Sequence, residues 1–335
     1  MKPNRREFIE SATVALAAGS TLMAQSNPSG SVLKRPLGKT GLDVSIIGVG
    51  GYHLGSAKDQ TEAKAIVDAA IDAGINFFDN AWDYHDGGSE EWMGAALKGK
   101  RERVVLMTKV CTHGRDKSVA MRMLEESLRR LQTDHLDVWQ IHEVIYDNDP
   151  DLIFRPNGAA EALVQAKKDG KVRFVGFTGH KDPAIHLKML AHDFPFDTVQ
   201  MPLNCLDATF RSFEQRVLPE ANRRGIAVLG MKSMGGSGEL VSNGVVTAAE
   251  ALRYAMSLPV AVTISGMQSP GVLQQNLEVA KAFQPMAADE MQRLRDRCRF
   301  HASDGRFELF KTTKKYDGNI GRKQHGFPDA SELPV

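Results

Sequence analysis

The chain lacks several features that would place it quickly, and each absence excludes something. No run of about 18 or more apolar residues occurs, so a conventional membrane-spanning helix is excluded. There is no excess of one charge: 42 Lys and Arg face 41 Asp and Glu, a formal net charge of +1, which argues against a nucleic-acid surface. Cysteine is scarce. Cys111, Cys205 and Cys298 are three in number and widely spaced, so they show no metal-ligand pattern and read as buried, inert thiols. An early G-x-G-x-x-G is missing, which counts against an open, doubly wound dinucleotide-binding sheet. What is present is a chain of 335 residues, 42% apolar and 25% charged, enough to bury a large core and of a length that suits one barrel.

The first 25 residues differ from the rest. Paired arginines in Asn4-Arg5-Arg6-Glu7-Phe8-Ile9 precede a weakly apolar run from Ala12 to Met23, Ala24 closes it, and Gln25 to Gly30 reads as a junction. The segment resembles a twin-arginine signal peptide cleaved near Ala24. The expectation is therefore residues 1–24 as leader, removed by twin-arginine export machinery, and a mature domain over 32–335 in the periplasm or another extracytoplasmic space.

From Val32 onward short apolar runs alternate with amphipathic stretches. The segment Val32 to Val44, with Gly38 and Gly41 at turns, reads as a hairpin closing a barrel floor. Strands are expected at Ser45–Gly50, Phe77–Asn80, Val104–Thr108, Asp137–Ile141, Phe174–Thr178, Thr198–Pro202, Ala227–Gly230 and Val262–Ser265. Helices are expected near 61–73, 89–98, 118–131, 157–169, 183–192, 213–224, 247–257 and 270–283, with Thr61 and Thr247 as N-caps, Pro270 in a first turn, and Gly74 and Gly170 after helix ends. Near-continuous apolar strands alternating with helices imply a parallel sheet covered on both faces. Eight such units count to an α/β fold of the closed (β/α)8 TIM-barrel type, with an N-terminal hairpin and a basic, turn-rich C-terminal tail from Arg299 folded over one face.

Barrel chemistry sits at the C-terminal ends of strands. Asp79 ends the second strand, Lys109 the third and His142 the fourth, and Tyr84 follows five residues after Asp79. Hydride reduction of a carbonyl needs a proton donor near the developing alkoxide, and a phenol suits it if its ordinary pKa of about 10 is lowered. A lysine ammonium beside the phenol would do so, a carboxylate would hold the lysine, and a neutral imidazole could orient the substrate oxygen. Singly, each residue has a plainer role: a structural Asp–Lys pair, a satisfied core histidine, a rim tyrosine.

Together they carry a resemblance. Phe77-Phe78-Asp79-Asn80-Ala81-Trp82-Asp83-Tyr84, Met107-Thr108-Lys109 and Trp139-Gln140-Ile141-His142 resemble the aldo-keto reductase motifs, in the same order, as does the opening Arg35 to Gly41 with Ile47-Gly48-Val49-Gly50. The likeness covers about residues 32–283. It implies Tyr84 as general acid, Lys109 and Asp79 as its tuning pair, and His142 as the group that orients the carbonyl. Trp82 and Tyr52 would line the substrate pocket, with a packing aromatic at the barrel mouth as the alternative for Trp82.

The resemblance further implies a nicotinamide cofactor. Gln200 would bind its carboxamide, with Thr178 in place of a family serine; Gly179 stands where the family has asparagine and cannot supply an amide. Gly235, Gly236 and Gly238 in the seventh loop would cradle the pyrophosphate, with Met231 against the nicotinamide ring and Lys232 as phosphate partner. Gly266, Gln275 and Asn276 would meet the adenosine, although Asn276 equally reads as a solvated helix residue. No basic residue lies between Ser265 and Asn276, so NADP(H), the family expectation, competes with NAD(H). The expected activity is interconversion of an aldehyde or ketone with its alcohol. The alternatives are a cofactor-binding barrel with a sensing or partner-binding role and a barrel enzyme using two carboxylates, for which Glu143 and Asp83 are the available groups. Nothing in the loops 111–117 and 143–156 or in the tail identifies a substrate, and no metal site is expected.

Overall fold

The computed structural model describes residues 30–111 and 116–333, so the twin-arginine segment and the middle of the loop after Cys111 lie outside the described residues. A two-stranded antiparallel hairpin, β1 (Lys34–Pro36) and β2 (Asp43–Ser45), opens the chain. Its turn uses Gly38 at φ +56° and Gly41 at φ +78°, left-handed values that favour glycine. Eight parallel strands follow: β3 (Ile47–Gly50), β4 (Phe77–Asp79), β5 (Val105–Val110), β6 (Leu136–Ile141), β7 (Val172–Thr178), β8 (Thr198–Pro202), β9 (Ala227–Met231) and β10 (Val262–Gly266). They pair in sequence order, and β10 returns to β3, closing the barrel.

Strand alternation explains how the sequence builds this object. Phe78, Leu106, Trp139, Val175, Val199 and Val228 belong to an outer apolar shell shared with the helices. The residues beside them in sequence, Phe77, Met107, Val138, Ala227, Leu229 and Val262, form a second cluster inside the barrel, plugged from below by Leu37 and Val44 of the hairpin. Following those inner rows upward by twos leads from Phe77 to Asp79, from Met107 to Lys109 and from Val138 through Gln140 to His142. The period of two thus puts an apolar floor, a polar middle where Gln140 donates to Thr198 Oγ1 at 2.8 Å, and an ionisable top on one inner surface.

Helix positions match the expected ones to within a few residues, with two differences. The first crossover helix is Gln60–Asp72, and its N-cap is Asp59, whose carboxylate accepts from the Glu62 amide, rather than Thr61. The stretch expected near 213–224 divides into Phe213–Arg216 and Leu218–Arg224, with Pro219 in the first turn of the second piece. Thr247 does cap its helix, through a full capping box with Glu250.

Beyond the eighth crossover helix (Pro270–Lys281) lies an additional helix, Ala288–Ala302, then a tail with short helices at Leu309–Thr312 and Asn319–Gln324. The tail does fold over the barrel, and it does so at the C-terminal ends of the strands. Lys311 is fully buried and donates to Asp207 Oδ1 at 2.7 Å, Glu308 Oε2 at 2.8 Å and the Phe210 carbonyl at 2.8 Å. Gln324 reaches the Cys111 carbonyl, and His325 meets Asp149 at 2.8 Å. Among the described residues no helix is long and apolar enough to cross a membrane.

His186, in the helix Pro183–Ala191, ties that helix to the barrel: it lies 3.3 Å from the Gln200 carbonyl and edge-on to Phe213. Burial, only partly opposed by that carbonyl and by Asp182, lowers its pKa from 6.5 to about 4. The unfolded chain therefore binds the extra proton throughout this interval, and stability is lost as pH falls from 6.5 through about 4. The expected contribution, about 3 kcal/mol for a shift of this size, is read as the difference in pH dependence of urea unfolding between wild type and His186→Leu. Parallel curves for the two proteins over that window would refute it.

Candidate active site

At the mouth, four strand-end groups converge. Lys109 is buried on β5 and donates to Asp79 Oδ1 at 2.5 Å and to the Asn80 carbonyl at 2.7 Å. Its third short contact is the Tyr84 hydroxyl at 3.4 Å, and the ammonium lies 4.9 Å from the centre of that ring. Tyr84 begins the short 3-10 turn Tyr84–Gly87, in which His85 and Asp86 adopt positive φ. His142 follows β6 and meets Tyr84 edge-on, with ring centres 5.8 Å apart. The sequence-expected quartet is therefore one constellation in space.

Its electrostatics differ from the expectation in one respect. Burial first, and then the carboxylates of Asp79, Asp83 and Glu143, push the Tyr84 phenol well above its ordinary pKa despite the lysine beside it. The sequence placed the ammonium beside the phenol correctly but did not reveal how many carboxylates share the cavity. Burial pushes the Asp83 carboxyl up, but the charge and hydrogen bond of His142, with hydrogen bonds from Cys111 and the backbone, together hold it down at about 2. Glu143 is raised by burial to about 7, with His142 and the Gly318 amide opposing. His180 lies 3.4 Å from Glu143, and burial together with Lys232 and Lys181 pushes its pKa far down.

The residues expected around the quartet divide into three groups. Tyr52 is exposed at the rim and meets Tyr84 edge-on at 5.4 Å. Trp82 is held by the helix Lys117–Arg130: its indole donates to Glu126 at 2.8 Å and carries the Arg130 guanidinium over its ring at 5.1 Å. Thr178 is buried at the end of β7 and Gln200 in the middle of β8, and Gln200 Oε1 has no hydrogen-bond partner among the described residues. A buried amide oxygen left without a donor is costly in the absence of a ligand, and it fits a partner carboxamide arriving at this point.

Gly179 has a structural reason of its own. A Cβ there would stand 2.1 Å from the Val144 carbonyl oxygen, so the turn after β7 leaves no room for an asparagine.

The seventh loop is covered by the tail. Gly236 donates to the Phe307 carbonyl at 3.1 Å, the Ser237 amide to Glu239 at 2.9 Å, and Ser237 Oγ pairs with the Tyr316 hydroxyl at 2.6 Å. Gly235 and Gly238 have φ of +83° and +82°, and a Cβ on Gly235 would stand 2.9 Å from the Phe307 carbonyl. Lys232 sits with its ammonium 5.2 Å from the Phe310 ring and 5.8 Å from that of Tyr316, and Met231 ends β9. On the other side of the mouth, Gly266 is packed against the His53 ring. Asn276 is buried, not solvated, and its amide donates to Ser265 Oγ at 3.0 Å and the Gly266 carbonyl at 3.1 Å. Gln275 is exposed. The tail's occupation of the loop was not legible in the sequence, because nothing in its composition tells which barrel face it covers.

A closed barrel with a Tyr, a Lys–Asp pair and a His at successive strand ends defines a class of barrel oxidoreductase. The family is shown by comparison: residues 46–243 match the model of the aldo/keto reductase family, and the chain belongs to that family. It is 31% identical over 224 residues to 6-dehydroglucose reductase of Novosphingobium aromaticivorans, covering 62% of this chain and 70% of that one. It is 32% identical over 205 residues to the aldo-keto reductase YhdN of Bacillus subtilis, covering 57% of this chain and 58% of YhdN, less than two thirds of that protein's length. The solved structure of the aldo-keto reductase AKR11C1 from Bacillus halodurans in its holo form superposes with a TM-score of 0.66 at 26% identity, over 79% of this chain and 96% of that one.

Proposed function

We propose that this protein reduces an aldehyde or ketone to its alcohol with a nicotinamide cofactor, and that Tyr84 supplies the proton. The observation that carries the reading is the contact of Lys109 with both Asp79 and the Tyr84 hydroxyl, closed on the other side by His142. A nicotinamide bound at the mouth would supply hydride to the carbonyl carbon. Tyr84, whose pKa burial and three carboxylates raise, is a neutral phenol throughout the physiological range, so the resting site is set to donate a proton rather than to accept one. Lys109 stands where it stabilises the phenolate left behind, and Asp79 holds that ammonium in place. His142 donates to the substrate oxygen and Tyr52 closes the rim.

Gln200 and Thr178 would hold the carboxamide end of the cofactor, and Lys232 its phosphates. The absence of basic residues between Ser265 and Asn276 weakens a 2′-phosphate site, so NADP(H) and NAD(H) are separated by measurement. Fluorescence titration of the chain starting at Gln25 with NADPH and NADH tests the reading: saturable binding of at least one is expected, and the tighter of the two identifies the cofactor. A folded chain that binds neither would overturn it. We further propose that residues 1–24 direct twin-arginine export, with the cofactor loaded before transit. The paired Arg5 and Arg6 ahead of an apolar run support this.

A further inference from the structure

Three donor groups at the mouth form an arrangement that the reduction just described does not require. Cys111 follows β5, His142 follows β6 and Asp83 lies in the loop after β4, and one ligand atom from each falls within 4.8 Å of the others. Cys111 Sγ is 3.6 Å from His142 Nδ1, which in turn is 3.4 Å from Asp83 Oδ1. Zinc binds thiolate sulfur at about 2.3 Å, imidazole nitrogen at about 2.0–2.1 Å and carboxylate oxygen at about 2.0–2.2 Å, with tetrahedral angles. Those lengths set a sulfur–nitrogen edge of about 3.6 Å and a nitrogen–oxygen edge of about 3.4 Å. The two separations in the protein are the edges of such a tetrahedron.

A second observation points the same way. Asp83 Oδ1 is buried and makes no hydrogen bond of good geometry: the His142 imidazole Nδ1 stands 3.4 Å away. A cation between the three groups would give that oxygen a close partner. The Cys111 thiol is itself 2% exposed, and a bound thiophilic cation would displace its proton.

We propose that Asp83, Cys111 and His142 bind one divalent, thiophilic metal ion of the zinc class at the barrel mouth, beside Tyr84. Three protein ligands leave a fourth position for water or a substrate oxygen, as in zinc sites that act on ligands. Coordination through Nδ1 also fixes the imidazole tautomer: the remaining proton stays on Nε2, 3.9 Å from Glu143 Oε2.

The test uses the full purified chain, stripped with a chelator and titrated with Co²⁺. Cobalt bound by a thiolate shows a near-ultraviolet sulfur-to-metal charge-transfer band, and four-coordinate cobalt shows intense visible bands. The expected result is saturation at one equivalent with both features, bleached by one equivalent of Zn²⁺. Cys111→Ser loses the charge-transfer band and weakens binding by more than the about 10–100-fold that outer-shell changes cost. Asp83→Asn keeps the band and weakens binding. The double variant Cys205→Ser/Cys298→Ser retains everything, since those two thiols lie together elsewhere, 3.5 Å apart. If Cys111→Ser fails to fold, this double variant still decides, because Cys111 is then the only thiol. No charge-transfer band in the wild type, or a band that survives Cys111→Ser, overturns the proposal. The readout involves neither cofactor nor turnover, so it stands or falls apart from the reductase reading.

Discussion

Tyr84→Phe is expected to lower carbonyl reduction by about 10²–10⁴-fold, the range that one positioned general acid contributes, while leaving cofactor affinity within about twofold. The argument is geometric. Phenylalanine keeps the ring that packs edge-on against His142 and Tyr52, at 5.8 and 5.4 Å, and keeps the face over which Lys109 lies. Only the hydroxyl 3.4 Å from the lysine is lost. An effect on affinity as large as the effect on rate would mean that Tyr84 shapes the pocket rather than the chemistry. Steady-state kinetics set beside fluorescence titration separate the two, because loss of a transition-state interaction lowers kcat and kcat/KM together. A rate within a few-fold of wild type would remove Tyr84 from the proton-donor role.

The second large effect concerns the tail. Lys311→Met is expected to destabilise the folded chain by about 3–5 kcal/mol, the usual result of removing one partner from a buried ionic cluster. Lys311, Asp207 and Glu308 are fully buried, and the lysine binds both carboxylates. Burial already pushes the Glu308 carboxyl upward, with Asp207 adding to it and Lys311 opposing. Without the ammonium, one of the two acids must take up a proton. The loss therefore grows with pH above the ordinary carboxylate range, and Lys311→Met/Glu308→Gln recovers part of it. Urea unfolding at two pH values reads both effects; a midpoint shift below about 1 kcal/mol, independent of pH, would contradict the account. The same cluster anchors Phe310, Phe307 and Tyr316 against the β9 loop, so the variant also loosens the cover on Gly236.

What the sequence conveyed and what it hid follow physical lines. The barrel was legible because each strand carries its own apolar signal and the same alternation that buries Phe77 and Met107 points Asp79 and Lys109 inward two residues later. Spacing brought Tyr84 beside them, because a strand end followed by a tight turn leaves little freedom of placement. The Tyr84 pKa was not legible: it depends on Asp83 and Glu143, whose distance from the phenol is set by how three strand ends close together. The cluster of Asp83, Cys111 and His142 was hidden for the same reason, since a ligand set drawn from three strands has no local spacing to recognise. The N-cap moved from Thr61 to Asp59 because both residues can cap and only backbone geometry chooses between them. The course of the tail depends on buried partners such as Asp207, about a hundred residues away in sequence.

The central claim is hydride transfer to a carbonyl carbon at the mouth of this barrel. It is tested most directly by incubating the chain with nicotinamide cofactor deuterated at the reactive ring carbon and a panel of aldehydes, ketones and sugars, then analysing the products by mass spectrometry. The account predicts one deuterium on the carbinol carbon of a reduced product for each cofactor oxidised, with Tyr84→Phe transferring almost none in the same time. Cofactor-loaded, folded protein that transfers no deuterium to any member of the panel would contradict it.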